Sequence, residues 1–356
     1  MRNKQLQGPR FLYICIYPSA GDRHRLKHIG RRKPNVLFYD KYRYMNVAYT
    51  KRLCKSLWRD IKRPTYKGIK RVGIGDTWFP SFIIDRLQYD QPHKVACFTV
   101  NSFPELVKWD NHPYKFLYIG ENVHVPFSHW AQFEDIQNSR YAPDLTMGFD
   151  NICQDNYLRF PYWLVDNFTP LTSFREVQDF VQKYNSAPTD RKNFCAFICR
   201  YDYFGDRALI ADMVESVAPL SYPSGFRHND DRMHHKYKND KITYLNSFRF
   251  NLCPENSNNA GYVTEKIFHA VKAGCIPIYW GNEGLPETGI LNKDAIIYLD
   301  KEHPEDALSL IKLLNTNPKA YAEFAAQPRF VPHAADEIYA YYERLETKLK
   351  TILGIS

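Results

Sequence analysis

Short apolar runs separated by turn residues, with helical stripes between them, set the organisation of this chain. IKRVGIGDTWFPSF, from Ile69, reads as a strand ending in a glycine-rich turn, and KVACFTV, KFLYIGEN and LTMGFD follow as further short strands. Their intervals predict a first α/β domain. FLYICIY at 11–17 reads as an earlier buried strand. YLRFPYWLVDNFTPLTS is rich in proline and aromatic residues and leads into the helical pattern FREVQDFVQKYNS, which places a domain crossing near Thr169. Beyond it strand and helix alternate: NFCAFICRY, DRALIADMVESVA, RFNLCPE, VTEKIFHAVKAG, IPIYWG, AIIYL and a helix from Pro304 to Leu314. This βαβ order predicts a parallel sheet. Ala335 to Leu353 reads as one amphipathic helix with Ile338, Tyr341, Leu345, Leu349 and Ile352 along its apolar stripe.

The pattern divides the 356 residues into a segment 1–68 of uncertain role, taken with the first domain, a domain over 69–168, a second over 169–334 and a terminal helix over 335–356. Charge changes the picture only at the start. Residues 1–71 hold 20 Lys and Arg against 3 Asp and no Glu, a net +17, which leaves the remainder at −8. That leader is either a plain solvated surface or a contact for anionic lipid, a phosphorylated acceptor or nucleic acid. No window approaches the roughly 18 apolar residues of a membrane span, and the N-terminal run is followed by Asp22 and basic residues in place of a cleavage site. A cytoplasmic protein is expected, with peripheral contact at the inner membrane face as a further expectation. The eight cysteines sit mostly in apolar runs and read as reduced core residues, and Cys195 with Cys199 lacks the second pair that a zinc site needs.

The chemistry concentrates in Glu255–Gly281, ENSNNAGYVTEKIFHAVKAGCIPIYWG. A polar loop enters a helix at Thr264, a capping residue, with Glu265 and Lys266 in the first turn and Gly274 at the end. A helix start with a lysine and free backbone N–H groups suits a diphosphate, and Glu265 suits sugar hydroxyls. Taken alone, Glu265 and Lys266 read first as an ordinary surface ion pair in a first turn.

The longer string resembles the signature of the alpha-1,3/4-fucosyltransferase family, glycosyltransferase family ten, including its bacterial branch. YIGEN at 118–122, LTMGFDNICQDNYLRFPYW after it, the strand FCAFIC with Arg207, and DKITYLNSFRFNL are similar to further stretches of that family, in the same order. The resemblance implies a GT-B architecture, two Rossmann-like domains facing across a cleft with the C-terminal helix packing back. It implies an inverting transfer of L-fucose from GDP-fucose to a hydroxyl of an acceptor glycan, the 3-OH of N-acetylglucosamine in a surface polysaccharide or lipopolysaccharide being the expectation. Glu121 would be the general base, and Arg207, Asn256, Tyr262, Glu265 and Lys266 would hold the donor, Tyr262 by stacking. The cations would stabilise the leaving diphosphate, so no cofactor is required, although a divalent metal could stimulate turnover; HNDDR at 228–232 is only a weak metal-like string. Departures at CRYD (199–202), SYPSGF (221–226) and Pro254 keep a different nucleotide-sugar donor as the alternative. A basic nucleic-acid-binding protein is a second alternative that accounts for the leader alone, and no nucleic-acid partner is expected under the first reading.

Overall fold

A computed structural model describes residues 65–73, 77–125, 136–186 and 190–355, with 54, 55 and 58 besides. The strand expected at 11–17 and nearly all of the basic leader lie outside the described residues. Two parallel sheets of five strands each form the frame. The first runs in the order β1 (Lys70–Val72), β2 (Val95–Thr99), β3 (Tyr114–Tyr118), β4 (Leu145–Gly148), β5 (Tyr157–Arg159). The second holds β6 (Asn193–Ala196), β7 (Leu220–Ser221), β8 (Phe248–Pro254), β9 (Ile276–Trp280) and β10 (Ile297–Tyr298) in the order β10-β9-β8-β6-β7. Strands such as VACFT and IPIYW are apolar almost throughout because both faces of a parallel sheet are covered. Several elements differ from the sequence reading. The proline- and aromatic-rich stretch contains β5 and a helix, Tyr162–Asn167, and the two-residue β7 was not foreseen. The helix expected from Pro304 runs Glu305–Thr316, and a second one, Pro318–Ala325, follows it.

The strand order in the second sheet has a physical consequence. After β6 the chain moves outward to β7, then crosses back to lay β8 on the other side of β6. The loops leaving the carboxyl ends of β6 and β8 therefore diverge, and the crevice between them is the place where open parallel sheets bind ligands.

The terminal helix, Ala334–Leu353, returns to the first sheet. Its buried stripe is Ala334, Ile338, Tyr342, Leu345, Leu349 and Leu353, so Tyr342 and Leu353 take the central places expected for Tyr341 and Ile352, which lie at the flank. Tyr342 packs against Trp78, Phe82 and Phe160 and donates to the Thr169 carbonyl at 2.9 Å. The helix Phe174–Tyr184 packs beside it and starts with a full capping box between Ser173 and Glu176. One apolar core runs through both sheets, with Trp163 stacked on Phe268 at 4.4 Å as a bridge. Cys97, Cys195, Cys199, Cys253 and Cys275 are free thiols inside the cores. Among the described residues no helix is long and apolar enough to cross a membrane.

Candidate functional site

The carboxyl ends of the two sheets face one another and their loops are bonded together. Glu121 stands three residues past β3, exposed, and its Oε2 accepts from the Tyr262 hydroxyl at 3.1 Å. Asn122 is buried; its amide donates to Ser257 Oγ at 2.7 Å and to Asn259 Oδ1, while its own oxygen accepts from the His124 N–H at 2.9 Å. Tyr262 was expected to stack on a nucleotide. Its ring is instead 1% exposed, belongs to the core cluster behind the first sheet, and meets Phe149 edge-on at 4.9 Å. Burial and the neighbouring Glu121 carboxylate push its ionisation well above the usual tyrosine range, so the hydroxyl keeps its proton and is the donor. Gly261, just before it, has φ +80° and approaches the Phe149 carbonyl so closely that a Cβ would lie 2.5 Å from that oxygen. Only glycine fits this contact.

Arg207 and Asn256 meet across the β6/β8 crevice. Arg207, in the first turn of the helix Asp206–Glu215, donates from Nη1 to Asn256 Oδ1 at 3.0 Å and from Nη2 to the Tyr201 carbonyl. Its Nε lies 3.9 Å from Asp202 and has no hydrogen-bond partner, which leaves a donor to spare. Asn256 stands two residues past the end of β8. The two residues singled out for the donor are thus brought together at the position the topology favours.

The start of the helix Glu265–Lys272 is organised differently from the expectation. Thr264 occupies the N-cap position but makes no capping bond with its side chain. Its hydroxyl donates to Glu255 Oε2 at 2.7 Å, and its N–H donates to Glu255 Oε1 at 2.8 Å. Lys266 Nζ donates to the same Oε2 at 2.9 Å and to Thr264 Oγ1 at 2.8 Å. An ammonium has three donors, so one remains, and the lysine side chain is 21% exposed whereas the Glu255 side chain is fully buried. Burial would drive Lys266 to lose its proton, but the carboxylates of Glu255 and Glu265 outweigh it and hold the ammonium above its ordinary range. Glu265 lies half-buried at the first helical position.

Glu255 was not singled out in the sequence, nor were Asn122, Ser257 and Asn259. The polar run ENSNN after an apolar strand, and an asparagine directly after Glu121, were the signals available. Gly281, at φ +142°, gives Glu255 its room, since a Cβ there would lie 2.7 Å from Cγ of the glutamate. In HNDDR, Asp230 is spent on Arg232 Nη2 at 2.7 Å and on the Tyr244 hydroxyl at 2.6 Å. Among the described residues no cluster of three or more His, Cys, Asp or Glu is arranged as a metal site.

Two α/β sheets joined at their carboxyl ends, with cations at the switch point of one and a carboxylate at the loop tip of the other, define an arrangement suited to group transfer from a phosphorylated donor. Comparison with known proteins agrees. Residues 191–332, less than half of the chain and most of its second α/β half, match the family model described as glycosyltransferase family 10 (fucosyltransferase) C-term. The chain is 27% identical over 208 residues to an alpha-(1,3)-fucosyltransferase of Helicobacter pylori, covering 51% of this chain and 42% of that protein. It is 28% identical over 148 residues to GDP-fucose protein O-fucosyltransferase 3 of Xenopus laevis, covering 41% and 29% respectively. The chain thus spans less than half the length of these curated relatives. Among solved structures, an alpha1,3-fucosyltransferase with GDP-fucose aligns at TM-score 0.46 and 23% identity, over 72% of this chain and 81% of that one.

Proposed function

We propose that the protein transfers L-fucose from GDP-fucose to a hydroxyl of an acceptor glycan, with inversion at the anomeric carbon. The observation that carries this reading is the Arg207–Asn256 contact at the β6/β8 crevice inside the family-matched half, facing Glu121 across the joined loops. In this reading the diphosphate rests on Arg207 and on the remaining donor of Lys266, whose charges stabilise GDP as it leaves. Glu121 accepts the proton of the attacking hydroxyl, and the Tyr262 hydroxyl fixes one of its carboxylate oxygens while the other faces the acceptor. The fixed cations supply the positive charge the leaving group needs, so no cofactor is required, and stimulation by a divalent cation is compatible. The 3-OH of N-acetylglucosamine is the acceptor proposed. Peripheral contact with an anionic membrane surface is proposed for the basic leader.

The test is product analysis with GDP-fucose and a panel of N-acetylglucosamine acceptors, alongside Glu121→Gln. Loss of a general base lowers kcat by about 10²–10⁴-fold; GDP affinity and melting temperature should stay as in the parent. A variant with full activity would remove Glu121 from the mechanism. The departures at Arg200, Tyr201 and Pro254 favour a second reading, the same chemistry with another sugar nucleotide. Turnover with such a donor and none with GDP-fucose would establish it. The protein relative offers a protein hydroxyl as a further acceptor class for the same panel.

A further inference from the structure

The loop leaving β6 carries three exposed aromatic rings: Tyr201 at 49%, Tyr203 at 62% and Phe204 at 45%. Water-facing rings normally sit on loops free to fold them away, but this loop is pinned. Asp202 accepts from the Gly205 N–H at 3.1 Å and the Ala208 N–H at 2.8 Å. The Tyr201 carbonyl accepts from both Cys199 Sγ and Arg207. The rings are ordered relative to one another, with Tyr201 and Tyr203 at 5.7 Å and an interplanar angle of 31°, and Arg200 over Tyr201 at 5.2 Å. Two tilted rings on a pinned loop, held open to solvent, offer a surface for another π-face.

The sequence of contacts along the site says which face. Starting from Glu121, the next residue Asn122 is bonded to Ser257; Ser257 follows Asn256; Asn256 is bonded to Arg207; and Arg207 is bonded to Tyr201. Tyr201 therefore adjoins Arg207 directly, whereas the Glu121 loop reaches Arg207 only through Ser257 and Asn256. A nucleoside diphosphate sugar has the same linear order: sugar, diphosphate, ribose, base. With the sugar at Glu121 and the diphosphate at Arg207, the base end falls at Tyr201.

We infer that Tyr201 and Tyr203 form a stacking platform for the purine base of the nucleotide donor. The inference rests on the proposed donor reading, since it assigns the diphosphate to Arg207.

The experiment measures binding of GDP and of inorganic pyrophosphate by calorimetry to the full chain and to Tyr201→Ala, Tyr203→Ala, the double alanine variant and Tyr201→Phe. One base stacked on aromatic rings accounts for about tenfold in affinity, so the double variant should bind GDP roughly tenfold more weakly, with pyrophosphate binding unchanged and Tyr201→Phe near the parent. GDP affinity within twofold of the parent in the double variant, or an equal loss for pyrophosphate, would overturn the platform. A rise in acceptor KM at constant GDP affinity would also overturn it and give the rings to the acceptor. The donor reading fails separately, with the platform kept, if the parent ignores GDP but binds ADP and the double variant binds ADP about tenfold more weakly; a parent that prefers UDP or CDP overturns the purine platform. A parent that binds no nucleoside diphosphate overturns both.

Discussion

Replacing Glu255 by Gln keeps the shape of the buried side chain and its acceptor for the Thr264 N–H, but removes the charge opposite Lys266. Taking one partner from a buried ion pair costs about 3–5 kcal/mol, and because the lysine side chain keeps 21% exposure the lower end, about 3 kcal/mol, applies here. At roughly 2–4 °C per kcal/mol for a domain of this size, melting should fall by about 6–12 °C. The reverse change, Lys266→Met, leaves a carboxylate with no exposed surface and no cation. Burial already holds Glu255 above the usual carboxylate range, and the lysine is what opposes this. With the cation gone, the folded-state value stands above the unfolded one of about 4.3, so the stability of this variant should be full below that pH and decline as pH rises through the folded value. Denaturant titration of both single variants and of Glu255→Gln/Lys266→Met closes the cycle. The double variant should be more stable than the sum of the singles by at least about 1.5 kcal/mol. Additivity within about 0.5 kcal/mol, or a pH-independent Lys266→Met, would refute the claim that the pair organises this helix start.

Two further predictions follow from other contacts. Tyr262→Phe removes the hydroxyl that fixes Glu121 but leaves the ring in its core, so kcat should drop several-fold with melting nearly unchanged; Tyr262→Ala should in addition cost about 3–5 kcal/mol in denaturant titration. Asp230 is held down to about 2: burial opposes its charge, but Arg232 and Tyr244 prevail. A lowered carboxylate stabilises the fold above its unfolded value and loses that contribution as pH falls, so about 2 kcal/mol should disappear between pH 4 and 2 and be absent from the slope of Asp230→Asn.

Much of the frame was legible in the sequence because parallel strands are apolar on both faces and helices carry stripes. KVACFTV, IPIYWG and the terminal helix declared themselves in this way. β5 did not, because its three residues sit among prolines and aromatics that read as a crossing, and β7 is too short for any period to show. Candidate donor residues could be named because the polar loop and helix start form one continuous string, and of them Arg207 and Asn256 meet. What the string could not show was direction. Thr264 and Lys266 turn toward Glu255, and Tyr262 turns away from the crevice into the neighbouring core, because the side chain that each one meets is distant in sequence or buried by a strand several residues on. Long-range pairings of this kind, such as Arg159 with Glu287 at 2.6 Å, have no local signature.

The insertion of Tyr262 behind the first sheet, with Arg159 donating to the Gly261 carbonyl at 3.3 Å beside it, also constrains how the molecule can move. A ring seated in the opposite half acts as a pivot pin. Any opening of the crevice must then turn about this point or withdraw the ring from its socket. The same pin couples the halves in unfolding: neither can melt without exposing the ring or its socket, and calorimetry of the intact chain should give one transition.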